Sequence, residues 1–60
     1  MLVGDILNSS YEGIKVDLFD SENSEWLASY DGRDSIPSFY NKFEVKLIYV
    51  DPENTLCICI

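Results

Sequence analysis

The sequence predicts a small α+β domain: a four-stranded antiparallel sheet of two hairpins, with a short N-terminal helix and a short helical turn between the hairpins. Three observations predict it. Residues 14–19, 25–30 and 43–50 alternate apolar with polar side chains, the period of a half-buried strand. Polar turns at residues 20–24 and 51–54 each join two such segments. Sixty residues make one domain, and an isolated hairpin is not stable in water, so the two hairpins share one sheet.

Each element has its own signature. In residues 2–9, LVGDILNS, Leu2 with Ile6 and Val3 with Leu7 lie four apart, giving a short helix one apolar side. Gly4 weakens that helix by about 1 kcal/mol relative to alanine, and a strand is the alternative. Glu12 and Gly13 make the turn that follows. Residues 14–19, IKVDLF, set Ile14, Val16 and Leu18 on one face and Lys15, Asp17 and Phe19 on the other. Residues 25–30, EWLASY, set Trp26, Ala28 and Tyr30 on one face, and Asp31-Gly32 ends the hairpin because glycine accepts positive φ. Residues 35–42 read as one or two helical turns, with Pro37 in the first turn, where its missing N–H costs nothing. Residues 43–50, FEVKLIYV, form a third strand. Pro52 sits at the second position of the next turn, and residues 55–60, TLCICI, form the last strand.

Joined in one sheet, these strands turn Ile14, Val16, Leu18, Trp26, Ala28, Tyr30, Val45, Leu47, Tyr49, Leu56, Ile58 and Ile60 inward, under the helical pieces. The outer face carries Lys15, Asp17, Ser29, Glu44 and Lys46. It also carries Phe19, Leu27, Ile48, Val50, Cys57 and Cys59. Clustered, those six form a candidate oligomer interface, most simply of a homodimer; otherwise the helix or a sheet edge covers part of them.

Composition excludes several classes. With 47% hydrophobic and 13% aromatic residues the chain is too apolar to be disordered. Neither of its longest apolar runs, 47–50 and 56–60, approaches the ~20 residues of a membrane span, and no signal peptide is visible, so a cytoplasmic protein is expected. Four Lys and Arg against 11 Asp and Glu argue against direct binding to nucleic acid or to an acidic membrane. The chain has no His, hence no imidazole base, no His metal ligand and no Ser-His or Cys-His pair. Neither an enzyme nor a cofactor is expected. Cys57 and Cys59 share a strand face at ~6.5–7 Å, too far apart for an easy disulfide, and no second pair completes a zinc site. Buried reduced thiols are expected, with no metal. Asp20, Glu22 and Ser24 have the spacing of a calcium loop, but Glu25 stands where that loop needs glycine, so they form a solvated turn.

The acid is unevenly placed. Residues 17–34 hold Asp17, Asp20, Glu22, Glu25, Asp31 and Asp34 against Arg33 alone, out of a net charge of -7. Averaged over the roughly 4,000 Å² a chain of this size exposes, the charge is about five-fold sparser than on duplex DNA. Whole-surface imitation of DNA is therefore excluded. A local acidic face that meets a basic partner is not, and the alternative is that the acid serves solubility.

The order of elements resembles the small acidic accessory proteins of phages and prophages of Gram-positive bacteria. The segments that carry the resemblance are Asp5-Ile6-Leu7, residues 14–20 (IKVDLFD), Ser35-Ile36-Pro37, residues 44–50 (EVKLIYV) and Asn54-Thr55-Leu56. Anti-CRISPR proteins are among that group. The resemblance implies a non-enzymatic inhibitor that presents an acidic surface to a basic nucleic-acid-binding nuclease, an RNA-guided CRISPR effector, and blocks its DNA binding or cleavage. The partner-binding residues would then be Asp17, Asp20, Glu22, Glu25, Asp31 and Asp34. The competing expectation is a structural or adaptor protein that oligomerises through the apolar outer face.

Overall fold

The computed structural model describes residues 1–60. Its elements are α1 (Val3–Ser9), β1 (Lys15–Asp20), β2 (Glu25–Tyr30), the 3-10 helices η1 (Arg33–Ser35) and η2 (Ser38–Lys42), β3 (Leu47–Val50) and β4 (Thr55–Cys59). The predicted class and elements are present: one N-terminal helix, two hairpins and short helical turns between them.

The sheet is mixed, which corrects the expectation of an all-antiparallel one. Its order is β2-β1-β4-β3. Each hairpin is antiparallel, but the two meet along β1 and β4, which run parallel, from Lys15 opposite Thr55 to Phe19 opposite Cys59. The connection explains it. Residues 31–46 return the chain along the sheet before β3 begins, so β3 runs with β2 and β4 runs with β1. Main-chain hydrogen bonds extend the central pairing past the strands: Ile60 N–H donates to Phe19 O, and Ser21 N–H to Ile60 O, both at 2.8 Å.

One core forms on the inner face. Val3, Ile6 and Leu7 of α1 and Ile36 of the crossover pack on Val16, Leu18, Leu56, Ile58 and Ile60. Asp5 accepts the Leu2 N–H at 3.0 Å and closes the first turn of α1. Gly4 lies against η2, where an added Cβ would stand 3.1 Å from the backbone oxygen and Cβ of Asn41. The glycine that disfavours a helix by propensity thus lets α1 and η2 pack closely. At the other end of α1, Arg33 Nη1 donates to Leu7 O at 3.3 Å and Ser10 O at 2.7 Å. Leu7 O also accepts the Ser10 N–H at 3.2 Å, and a cation is favoured at this carbonyl end of the helix.

Two departures from regular strand pairing reverse the predicted side-chain faces. A bulge in the β1–β2 pairing sets Leu18 opposite Ala28 but Phe19 opposite Trp26, leaving Leu27 as the extra residue. Leu27 therefore turns inward against the core, and Trp26 turns outward. The second event is in residues 43–50. The first of these pair with the N-terminus, not with β4: Val3 N–H donates to Phe43 O, Val45 N–H to Met1 O, and Leu2 bridges Glu44. β3 begins only at Leu47, and alternation does not carry across the break. Ile48 and Val50 lie opposite Ile58 and Leu56 on the inner side, and Leu47 and Tyr49 lie opposite Cys59 and Cys57 on the outer side. The expected outer positions of Leu27, Lys46, Ile48 and Val50 are thus corrected, Lys46 lying beside Leu27 and Ile60 on the inner side. So are the expected inner positions of Trp26, Leu47 and Tyr49.

Candidate functional site

The helical elements lie on the inner side of the sheet, and its outer side carries no second layer. Opposed residues of a sheet share a face, so the register defines what this side presents. Phe19 and Trp26 pack edge to face, with ring centroids 4.9 Å apart. Leu47 and Tyr49 flank β4 from the other side. Trp26 is 57% exposed, Leu47 58% and Tyr49 44%, a large apolar and aromatic area open to water. Between these walls Cys57 and Cys59 form the floor. Their outward positions and their burial are both as predicted, and neighbouring side chains on β1 and β3 stand on either side of these small residues. Both thiols are free.

A pair of carboxylates interrupts the apolar surface. Asp17 stands opposite Cys57 on β1, and Asp51 reaches the same place from the β3–β4 turn. One oxygen of each and the Cys57 Sγ lie within 4.8 Å of one another. Asp51 Oδ1 accepts the N–H groups of Glu53 and Thr55, each at 2.9 Å, which fixes the turn. Burial pushes the Cys57 thiol up, and its Sγ donates to Thr55 O at 3.7 Å. A hydrogen bond with Cys57, aided by burial, raises the Tyr49 phenol in turn. Neither Asp17 nor Asp51 forms an ion pair with any of the chain's cations. As metal ligands the three groups offer two hard oxygens and one soft sulfur, one donor short of a structural zinc site, and the sulfur must first lose its proton.

The six acidic candidates do not converge. Asp20, Glu22 and Glu25 gather at the β1–β2 turn. Asp31 and Asp34 lie past the far end of β2, where Arg33 sits 3.8 Å from both Asp34 and Glu12. A six-residue strand separates the two groups by roughly 20 Å. Asp17 alone lies on the outer face between them. The calcium-like spacing at 20–24 is a turn: Asp20 Oδ1 accepts from Glu22 N–H and Asn23 N–H, and its Oδ2 from the Asn23 side chain at 2.7 Å. Those bonds, led by the Asn23 side chain, hold the Asp20 carboxyl below its usual range.

Sequence reasoning missed Trp26, Leu47, Tyr49 and Asp51 as members of this face. Trp26 depends on a bulge that leaves no mark in the residue pattern. Asp51 depends on the parallel β1–β4 pairing that brings its turn beside Asp17. No helix is long and apolar enough to cross a membrane. Comparison with protein families, with curated proteins and with solved structures finds no match to this chain.

Proposed function

We propose that this protein is a non-enzymatic protein-binding module that docks the outer face of its sheet on a basic partner. The observation that carries this reading is the uncovered apolar surface of Trp26, Leu47 and Tyr49, bordered on the side of the β3–β4 turn by the carboxylates of Asp17 and Asp51, which no cation of the chain pairs. Aromatic side chains in an apolar patch are the usual anchors of protein interfaces. Two carboxylates buried there are costly unless the partner brings a cation. A second copy of the chain is the poorer occupant, because it brings the same carboxylates and another -7 of net charge. The acidic groups at both ends of the first hairpin add long-range attraction for a basic protein rather than a continuous imitation of phosphate.

The resemblance to phage accessory proteins supports a particular class of partner, a nucleic-acid-binding nuclease guided by RNA, and inhibition by occupying its basic surface. The test is retention of such a purified nuclease, with its guide, on the immobilised protein at low and at high salt. Retention at low salt that is lost at high salt, and lost also in Leu47→Asp, is the expected result. Retention unchanged by Leu47→Asp overturns the outer-face reading.

A further inference from the structure

A second partly apolar surface lies on the opposite side of the sheet, where the crossover meets the end of the first hairpin. Here a groove of about 430 Å³ opens between η2 and the β1–β2 turn. Three rings wall it. Phe39 and Tyr40 have centroids 4.2 Å apart, and Tyr40 and Phe43 5.7 Å. Phe39 is 53% exposed and Phe43 40%, although inward-turned Leu27 beside them is partly buried against the core. Asp20 and Glu22 form the lip. Lys46 also lines the groove, with its Nζ 3.8 Å from Glu22 Oε1.

We propose that this groove binds an arginine side chain of a partner protein, with the guanidinium stacked on the exposed Phe39 ring and its N–H groups turned to Asp20 and Glu22. Charge and shape both select that occupant. A planar, weakly hydrated cation can lie on an aromatic face and donate in its own plane to carboxylates at the rim. A purely apolar ligand would desolvate the charged lip and supply no donor in return for the water it displaces. Asp20 is held in place by three hydrogen bonds, so the acceptor is already oriented. Lys46 occupies the lip only loosely: its side chain is half exposed and its contact with Glu22 is longer than a hydrogen bond. It is a stand-in that an incoming guanidinium displaces.

The experiment titrates the whole protein with Nα-acetyl-arginine N-methylamide, and separately with the neutral citrulline analogue, following backbone and aromatic resonances by NMR. The expected shifts concentrate at Phe39, Tyr40, Phe43 and Glu22, and citrulline produces none at the same concentration. Lys46→Met removes the internal competitor and tightens binding. Phe39→Leu keeps an apolar wall without a ring and weakens it about two- to five-fold. Both side chains are exposed, so both variants fold, which unchanged resonances of Val16, Leu18 and Ile58 confirm. Equal shifts with citrulline overturn the proposal, as do shifts of equal size at Asp31, Asp34 and Glu53. Resonances that move with protein concentration alone show a second copy in the groove and overturn it too. Trp26 and Leu47 report the other side of the sheet, so failure here leaves the outer-face reading intact, and the reverse holds.

Discussion

Replacing Gly32 with Ala tests how the chain leaves the first hairpin. Gly32 has φ of 144° and ψ of 156°, a region open almost only to glycine. Forcing a side chain into it costs about 1–3 kcal/mol. The new Cβ would also stand 2.6 Å from the Glu12 carbonyl oxygen. That atom is backbone, so either the 11–13 turn or the start of η1 must move. Arg33 follows directly, and its guanidinium holds the Leu7 and Ser10 carbonyls. Hydrogen bonds to charged groups contribute about 1.5–3 kcal/mol each, less here because the freed carbonyls can reach water. A total loss of about 3 kcal/mol is expected. A chain of this length has about 3–9 kcal/mol of stability, and each 1 kcal/mol moves Tm by about 4–8 °C. Thermal and urea unfolding followed by far-UV circular dichroism therefore show a Tm about 12–24 °C lower. Gly13→Ala is the matched control, since nothing lies within 4 Å of its added Cβ. It leaves stability within about 1 kcal/mol of the parent. If the two variants unfold together, the reasoning about Gly32 is refuted.

Three further outcomes follow from the same structure. Leu18 is fully buried at the centre of the core, so Leu18→Ala costs about 2–5 kcal/mol and leaves most of the cooperative urea transition lost; a shift under about 1 kcal/mol contradicts the core as described. Cys57 and Cys59 are buried and burial raises the Cys57 thiol, so a thiol reagent at mildly alkaline pH modifies the native protein about a hundred-fold or more slowly than the urea-unfolded chain; equal rates contradict their place beneath the outer face. Asp20 has its carboxyl lowered from 3.8 by Asn23, so its contribution to folding is full above that value and is lost as the pH falls through the lower folded value. Asn23→Ala raises the Asp20 titration midpoint measured by NMR, and a midpoint that stays put rules out that hydrogen bond.

Much of the fold was legible because alternation and turn chemistry are local. Strand β2 has the predicted limits, β1 and β4 lie within a residue of theirs, and α1 starts one residue late. The failures are all non-local. Nothing in FEVKLIYV says that Met1 and Val3 will take the hydrogen bonds of Phe43 and Val45 and shorten β3. Nothing in EWLASY marks the bulge that exchanges Trp26 and Leu27. Because the side-chain period of a strand is two, each of these one-residue events moves a whole set of side chains to the other face. The outer face was therefore anticipated as apolar, but with Leu27, Ile48 and Val50 in the places that belong to Trp26, Leu47 and Tyr49. The acidic candidates were legible as residues and not as a surface. Their separation is set by the length of β2, and the carboxylate pair at Asp17 and Asp51 is set by a parallel pairing between strands far apart in the sequence.

Trp26 is the only tryptophan and stands on the outer face, so it offers the most direct test. The protein is labelled with 5-fluorotryptophan and its single ¹⁹F resonance is followed as a purified RNA-guided nuclease with its guide is added. The outer-face account predicts that the resonance broadens and shifts, recovers at high salt, and does not respond in the Leu47→Asp variant. A resonance unchanged while the nuclease is bound, or a nuclease that never binds, contradicts it.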